Sequence, residues 1–207
     1  MHAILSFGLG YFMGCLNPAV WVGNKKNINL KESGTGNLGA TNTTLVLGRK
    51  AGVFVLFFDI LKSLFAARAA RAIFRHLPYA GYLAAIGAIA GHCFPVFMKF
   101  QGGKGLAAFG GMILYYNPWA FLIIITFGIL MMTLFNTGVA APMTGVLLFP
   151  ILVWWGTGSV MDTGFALAAS ILIFFTHWSN LVKAFTKNDV ISTKSFYKDI
   201  LFRKRRK

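Results

Sequence analysis

Acidic residues and cysteines are scarce in this sequence of 207 residues. Five Asp and Glu residues stand against 20 Lys and Arg residues, and there are two cysteines and four histidines. So few carboxylates give little support to a Ser-His-Asp hydrolase, and no nucleophile-elbow motif is present. His92 and Cys93 are adjacent, but no further Cys or acidic residue follows at helical spacing. We therefore expect no metal site, no disulfide framework and no cofactor.

Charged residues of both signs are also few, at 12% of the sequence, whereas 57% of the residues are hydrophobic. Because soluble domains carry about 25% charged residues, the composition indicates an integral membrane protein. We expect an all-α membrane protein with about seven transmembrane helices. It should form a single polytopic domain over residues 1–207, with a basic tail from about 181 to 207. The N-terminus lacks the basic leader and cleavage site of a secretory signal, so it is predicted to remain as the first span.

Seven apolar segments are separated by polar residues or by Gly and Pro. A straight transmembrane helix needs roughly 20 residues, and the fourth segment is shorter than that. The predicted segments cover residues 3–22, 52–74, 79–97, 106–116, 119–135, 139–155 and 165–175.

The basic residues predict the orientation. A formal net charge of +15 is first a topology signal, because cytoplasmic loops carry the excess of Lys and Arg. If the basic loop after the first segment is cytoplasmic, seven crossings place the N-terminus outside and the C-terminus inside. Arg68, Arg71 and Arg75 would then lie at the outer end of the second segment. Either an interfacial helix end with snorkelling arginines or a second segment that does not cross would explain them.

Two opposite charges lie inside the second segment. Asp59 and Lys62 are three residues apart, which places them on one face of a helix. Such a pair can be tolerated near the membrane, and we favour a structural role for it over a catalytic one.

The most polar stretch, KESGTGNLGATNTTLVLGR at residues 31–49, is rich in glycine and in hydroxyl and amide side chains. Glycines allow tight turns, and the neighbouring donors can converge on one small anion. The stretch therefore predicts an anion-binding loop, with an ordinary connecting loop as the alternative. Its candidate binding residues are Ser33, Gly34, Thr35, Gly36, Asn37, Gly39, Thr41 and Asn42.

A second polar segment, GHCFPVFMKFQGGKG at residues 91–105, ends in a glycine turn that leads into apolar sequence. Free N–H groups at a helix N-terminus, with Lys104 beside them, favour a phosphate. The alternative is a plain turn between helices whose lysine follows the positive-inside rule. His177 and Asn180 form a third polar segment. The predicted topology brings all three to the cytoplasmic face, where irregular backbone at membrane depth usually lines a site.

These motifs resemble the bacterial integral-membrane acyl-phosphate:glycerol-3-phosphate acyltransferases. GTGNLGATN at residues 34–42 is similar to that family's first motif, and GHCFPVFMKFQGGKG is similar to its second. His177 and Asn180 are similar to part of its third motif, and LGRKAG at residues 47–52 and DILKS at residues 59–63 also fit.

The chain also departs from the family pattern. Leu45 stands where the family generally has arginine, Trp178 replaces a basic residue, and Gln101 stands where lysine is usual. Thr35 replaces a serine, and residues 135–142 do not reproduce a further motif. We therefore interpret the chain as a divergent paralogue.

The resemblance implies a seven-helix fold in the bacterial plasma membrane with a cytoplasmic active site. It implies transfer of an acyl chain from acyl phosphate to the 1-hydroxyl of glycerol 3-phosphate, giving lysophosphatidic acid and phosphate in phospholipid biosynthesis. By the same resemblance, residues 33–42 would hold the acyl phosphate. Glycerol 3-phosphate would be held by Gly102, Gly103, Lys104, Gly105 and Arg49. The implied catalytic residues are His177, Asn180, Lys104, His92 and Asn37.

Some alternatives stay open at this point. The proton of the attacking hydroxyl of glycerol 3-phosphate could be accepted by His92, by His177 or by a substrate phosphate. Two other functions are possible alternatives. The protein could be a membrane carrier or binding protein for an organic phosphate or another anion, or it could be a catalytically altered paralogue that uses another acceptor. The expected partners are acyl phosphate, glycerol 3-phosphate and membrane lipid. Nucleic acid is not expected, because the basic residues lie in loops between apolar segments, and the sequence does not predict the oligomeric state.

Overall fold

The computed structural model describes residues 1–186, which form nine α-helices and a short 3₁₀ helix, Val96–Met98. The all-helical prediction is confirmed, and most of the predicted basic tail lies outside the described residues. The helices are α1 His2–Gly14, α2 Pro18–Lys25, α3 Ala40–Leu47, α4 Arg49–Ile73, α5 Ala80–Cys93, α6 Leu106–Tyr116, α7 Pro118–Leu134, α8 Ala140–Thr157 and α9 Val160–Phe185.

Four helical stretches are long and apolar enough to cross a membrane. They are His2–Lys25, Ala80–Met98, Ala140–Thr157 and Val160–Phe185, while α6 and α7 are shorter apolar helices. Large apolar side chains on the outside of the bundle, such as Phe57, Leu147 and Phe175, are exposed, as expected for a surface that faces lipid. The chain is an all-helical membrane protein, and seven crossings stay a prediction.

Helices α1 and α5 run parallel in close contact. Gly10 and Gly14 lie on α1, and Gly87 and Gly91 lie on α5, so each helix presents a GxxxG pair to the other. A Cβ atom on Gly10 would lie 1.8 Å from the carbonyl oxygen of Ala84. Small residues at this spacing let two backbones approach closely, which fixes the position of α5 and of the loop that follows it.

The first predicted span, residues 3–22, lies within the apolar stretch His2–Lys25, which is long enough to cross a membrane but is not one continuous helix. The chain breaks between α1 and α2, because Pro18 cannot continue α1 and instead begins α2. The Oδ1 atom of Asn17 accepts hydrogen bonds from the N–H groups of Ala19 at 3.1 Å and Val20 at 3.2 Å. This Asn-Pro pair is a strong helix-start signal. The break leaves the carbonyl of Leu16 free to accept a hydrogen bond from Lys62 at 2.7 Å.

The predicted end of the seventh segment at residue 175 is wrong. Helix α9 continues to Phe185, so His177 and Asn180 lie on a helix. Trp178, Val182 and Phe185 continue its exposed apolar face, which explains why the helix extends past the polar residues.

Helix α3 was not predicted, and it places Thr41 and Asn42 on a helix within the first polar segment. Its Thr and Asn residues have low helix propensity. The hydroxyl groups of Thr43 and Thr44 donate to the carbonyls of Gly39 and Ala40, both at 2.9 Å.

Ring contacts define one end of the helical bundle. The ring of His2 lies 5.8 Å from that of Phe74, and the ring of Tyr82 lies 5.6 Å from those of Tyr115 and Phe165. We call this the arginine end, because Arg68 and Arg71 near the end of α4 and Arg75 just after it lie there. The opposite end contains the loops around α3, residues 94–105 and the last turns of α9, and we call it the cavity end.

Candidate active site

A cavity of about 530 Å³ at the cavity end is lined by residues from all three polar segments. This is an ordinary volume for a small-molecule site. The structure thus brings together segments that are far apart in the sequence. The predicted site residues that line the cavity are Gly34, Thr35, Asn37, Gly39, Thr41, His92, Lys104, Gly105, His177 and Asn180.

Other predicted site residues do not line this cavity. Arg49 is the first residue of α4 and is exposed, Asn42 lies on α3, and the others belong to the two loops around the cavity. These loop residues are Ser33, Gly36, Gly102 and Gly103.

The side chain of Asn42 organises the first loop. Its Oδ1 atom accepts the N–H of Thr35 at 2.7 Å, and its Nδ2 atom donates to the carbonyls of Leu30 at 2.9 Å and Ser33 at 3.0 Å. Gly34 adopts φ +63°, and a Cβ atom there would lie 2.4 Å from Oδ1 of Asn42. Both polar atoms of Asn42 are therefore used within the protein, and they hold Thr35 at the cavity wall.

The second loop is closed by backbone hydrogen bonds. The N–H groups of Gly102 and Gly103 donate to the carbonyls of Cys93 and His92, both at 3.0 Å. A Cβ atom on Gly103 would lie 2.2 Å from Nε2 of His92. These two N–H groups hold the loop against the end of α5. Because they already donate within the protein, the donors that face the cavity come from other residues.

The N-terminus of α6 supplies such donors. The first intrahelical bond runs from the N–H of Phe109 to the carbonyl of Gly105 at 2.8 Å, so the preceding N–H groups have no helical acceptor. Gly105, Leu106 and Ala107 line the cavity. The N–H groups and the helix dipole both favour an anion at this point.

Lys104 lies beside that helix N-terminus and is half-buried. Its ammonium group donates to Oδ1 of Asn180 on α9. Burial lowers the pKa of Lys104 below that of an ordinary lysine, and the nearby charge of Lys183 lowers this pKa further. A bound anion would relieve both effects.

The ring of His177 is fixed by its own helix. The Nδ1 atom lies 3.0 Å from the carbonyl oxygen of Ile173. Because a carbonyl oxygen only accepts, Nδ1 carries the hydrogen, and Nε2 of the neutral ring is an acceptor. The hydroxyl of Thr176 donates to the carbonyl of Lys104 at 2.9 Å, which joins α9 to the second loop.

The predicted pair of Asp59 and Lys62 is confirmed, with Oδ1 and Nζ 2.7 Å apart. His92 joins the pair, since its Nδ1 atom lies 3.0 Å from Nζ of Lys62 and 3.3 Å from Oδ1 of Asp59. All three side chains are buried. Lys62 also donates to the carbonyl of Leu16, so this cluster ties the break in the first segment to α4 and α5.

Two lysines of the site were not predicted from the sequence. Lys183 lines the cavity, and its spacing from His177 and Asn180 would have revealed it if α9 had been predicted to continue. The ammonium group of Lys31 donates to Oε1 of Gln101, which joins the first loop to the second.

The rest of the cavity wall is apolar and was not predicted. Its residues are spread over four helices, α4, α6, α7 and α8, so no local motif marks them. They include Leu56, Ile60, Phe109, Ile113, Phe121, Ile124, Ile125, Ile129 and Met132.

Several known proteins with similar sequences are described as glycerol-3-phosphate acyltransferases. The family model described as glycerol-3-phosphate acyltransferase matches residues 4–187. A glycerol-3-phosphate acyltransferase of Thermoanaerobacter sp. is 32% identical over 184 residues, covering 87% of this chain and 91% of that protein. One from Bacillus velezensis is 41% identical over 141 residues, covering 67% of this chain and 72% of that protein.

A solved structure is similar over almost the whole chain. It is the crystal structure of PlsY, an integral membrane glycerol 3-phosphate acyltransferase, in its glycerol 3-phosphate form. Its TM-score is 0.83 at 26% identity, and the match covers 91% of this chain and 94% of that one. The lysophosphatidic acid form gives a TM-score of 0.82. The chain therefore belongs to the glycerol-3-phosphate acyltransferase family.

Proposed function

We propose that this protein transfers an acyl chain from an acyl phosphate to the 1-hydroxyl of glycerol 3-phosphate, giving lysophosphatidic acid and inorganic phosphate. The observation that carries the proposal is a single cavity whose donors and cations adjoin an apolar wall. This combination matches two phosphate groups and one acyl chain. The family and its glycerol 3-phosphate-bound structure support the same acceptor.

The donors at the cavity end suit the two phosphate groups. Lys104 and the N-terminus of α6 would hold the phosphate of glycerol 3-phosphate. Thr35, Asn37 and Thr41 of the first polar segment also line the cavity and would hold the phosphate of the donor. A charge-assisted hydrogen bond contributes about 1.5–3 kcal/mol, so each of these contacts has a measurable effect.

The reaction needs orientation more than it needs a strong base. The hydroxyl oxygen bonds to the acyl carbon, the bond from that carbon to the phosphate oxygen breaks, and the hydroxyl proton ends on the departing phosphate. No covalent enzyme intermediate is required. The Nε2 acceptor of His177 would take a hydrogen bond from the hydroxyl and align it for attack, and Lys104 would neutralise developing charge.

The apolar wall would hold the acyl chain. It is formed by α4, α6, α7 and α8 and adjoins the polar end of the cavity. Burial of one CH₂ group contributes about 0.8 kcal/mol, so a long chain gains substantial binding free energy there. Ile124 and Met132 of α7 are among the wall residues.

We also place the cavity end at the cytoplasmic face, with the N-terminus outside. Lys25, Lys26 and Lys99 lie at this end of the bundle, and such basic loops favour the cytoplasmic side. Single cysteines at Lys26 and at Trp119 should be labelled by an impermeant thiol reagent from opposite sides of the membrane. Labelling of both from the same side would contradict this orientation.

The donor can be tested directly with purified protein in lipid vesicles. Hexadecanoyl phosphate with glycerol 3-phosphate should give lysophosphatidic acid, whereas hexadecanoyl-CoA should give none. Product formation from the thioester alone would overturn the proposed donor.

The acceptor is tested by competition in the same assay. Because Leu45 and Trp178 stand where the family has cations, glycerol 3-phosphate is offered together with dihydroxyacetone phosphate as a competing acceptor. A preference for it would make the protein a paralogue with an altered acceptor.

A further inference from the structure

Three arginines at the arginine end have no role in the proposed reaction. Arg68 and Arg71 are exposed on the last turns of α4, and Arg75 is exposed in the turn that follows the helix. Arg68 and Arg71 are three residues apart, which places them on one face of the helix. Together with Tyr115 of α6 they line a second, open cavity of about 630 Å³.

The hydrogen bonds of these arginines leave most of their donors unused. Arg71 donates to the carbonyl of Arg75 at 2.7 Å, and Nε of Arg75 donates to the carbonyl of Ala72 at 3.1 Å. These bonds cap the end of α4. Within residues 1–186, none of the three forms an ion pair with an acidic residue, and Arg68 makes no hydrogen bond. Three neighbouring positive charges with unfilled guanidinium donors are suited to an anion.

The surroundings of this cavity indicate a lipid headgroup rather than a free ion. Phe65 and Ile73 of the same helix are 55% and 61% exposed, as on a surface that faces lipid. Trp119 and Trp155, which are 73% and 80% exposed, lie at the same end of the bundle. Exposed Trp residues at helix ends are typical of the membrane interface, which is where phosphate headgroups are found.

We propose that Arg68, Arg71 and Arg75 bind the phosphate group of an anionic phospholipid at the end of the bundle opposite the catalytic cavity. The guanidinium groups hold the phosphate oxygens, and Tyr115 forms one wall of the site. The acyl chains lie along the apolar face of α4. This site goes beyond the proposed reaction and does not depend on it.

The test is a lipid titration of the delipidated full-length protein, followed by native mass spectrometry. Phosphatidylglycerol should bind to the wild-type protein and at least about tenfold more weakly to the R68Q/R71Q/R75Q variant, because all three charged contacts to the phosphate are lost. The matched variant K25Q/K26Q/K50Q removes the same charge from the cavity end and should bind like wild type. Phosphatidylcholine should bind much more weakly than phosphatidylglycerol.

Three outcomes would overturn the proposal. They are unchanged binding in the arginine variant, an equal loss in the lysine variant, or displacement of the lipid by millimolar inorganic phosphate, which would indicate a free-ion site. If the triple variant does not fold, Arg68→Gln alone decides the question, because this side chain makes no hydrogen bond within residues 1–186. It should weaken phosphatidylglycerol binding several-fold, by the loss of one charged contact, and unchanged binding would contradict the site.

Discussion

The Nζ atom of Lys62 lies 2.7 Å from Oδ1 of Asp59, and both side chains are buried within the helical bundle. Removal of one member of such a pair leaves an uncompensated buried charge, which costs about 3–5 kcal/mol. We expect Lys62→Met to lower the free energy of unfolding by about this amount. Chemical denaturation of the purified protein in mild detergent measures the change.

A second variant separates the charge from the shape of the side chain. Asp59→Asn combined with Lys62→Met removes both charges and should recover a large part of the lost stability. Lys25→Met, at an exposed position, should have little effect. If the double variant is less stable than Lys62→Met alone, the pair does not act as we describe.

His177→Asn tests the acceptor at Nε2. The amide of asparagine can still donate to the carbonyl of Ile173, but no acceptor reaches the position of Nε2. We expect kcat to fall by about 10²-fold, because the attacking hydroxyl loses its alignment, while the unfolding midpoint stays close to that of wild type. Asp162→Asn, in the first turn of α9 at the arginine end, should retain full activity. A comparable loss of kcat in both variants would indicate a general effect on folding.

Gly103→Ala tests the closure of the second loop. The added Cβ atom would lie 2.2 Å from Nε2 of His92 and 2.8 Å from the carbonyl oxygen of Leu38. The loop must shift, and with it Lys104, so we expect kcat/KM for glycerol 3-phosphate to fall by about 10²-fold or more.

Gly164→Ala is the matched control for this substitution. Gly164 lies within α9, and a Cβ atom there would meet nothing within 4 Å. The control should keep normal activity and gain about 0.5–1 kcal/mol of stability from its higher helix propensity. Normal kinetics in Gly103→Ala would show that the loop is not held as we describe.

The low pKa of Lys104 predicts a pH dependence. Burial and the charge of Lys183 lower this pKa, so Lys104 loses its proton at a lower pH than an ordinary lysine. The value of kcat/KM should therefore fall on the alkaline side before an ordinary lysine would deprotonate. Lys183→Gln removes the repulsion and should move this alkaline fall to higher pH. A fall that stays in place, or moves to lower pH, would contradict the assignment.

Much of the site could be predicted from the sequence, because its polar residues stand out in an apolar chain. Thr35, Asn37, Lys104, His177 and Asn180 all line the cavity, and alternating helices explain why they meet at one end. The Asp59 and Lys62 pair was predictable from helical spacing alone. These features depend on short-range pattern and on the order of the helices.

The parts that were missed depend on tertiary contacts. The role of Asn42 as the organiser of the first loop requires the carbonyls of Leu30 and Ser33 to reach its amide group, which spacing does not reveal. The use of the Gly102 and Gly103 N–H groups within the loop depends on the end of α5. Lys183 was assigned to the basic tail because the polar residues His177 and Asn180 were interpreted as following the end of the last helix.

The most direct test of the central claim follows both products from the two proposed substrates. Purified protein in vesicles is given acyl phosphate and glycerol 3-phosphate, and inorganic phosphate and lysophosphatidic acid are measured over time. We expect the two products to form in equal amounts, only when both substrates are present, and to be nearly lost in His177→Asn. Phosphate release without lysophosphatidic acid, or uptake of glycerol 3-phosphate into the vesicles with no release, would contradict the acyltransferase account.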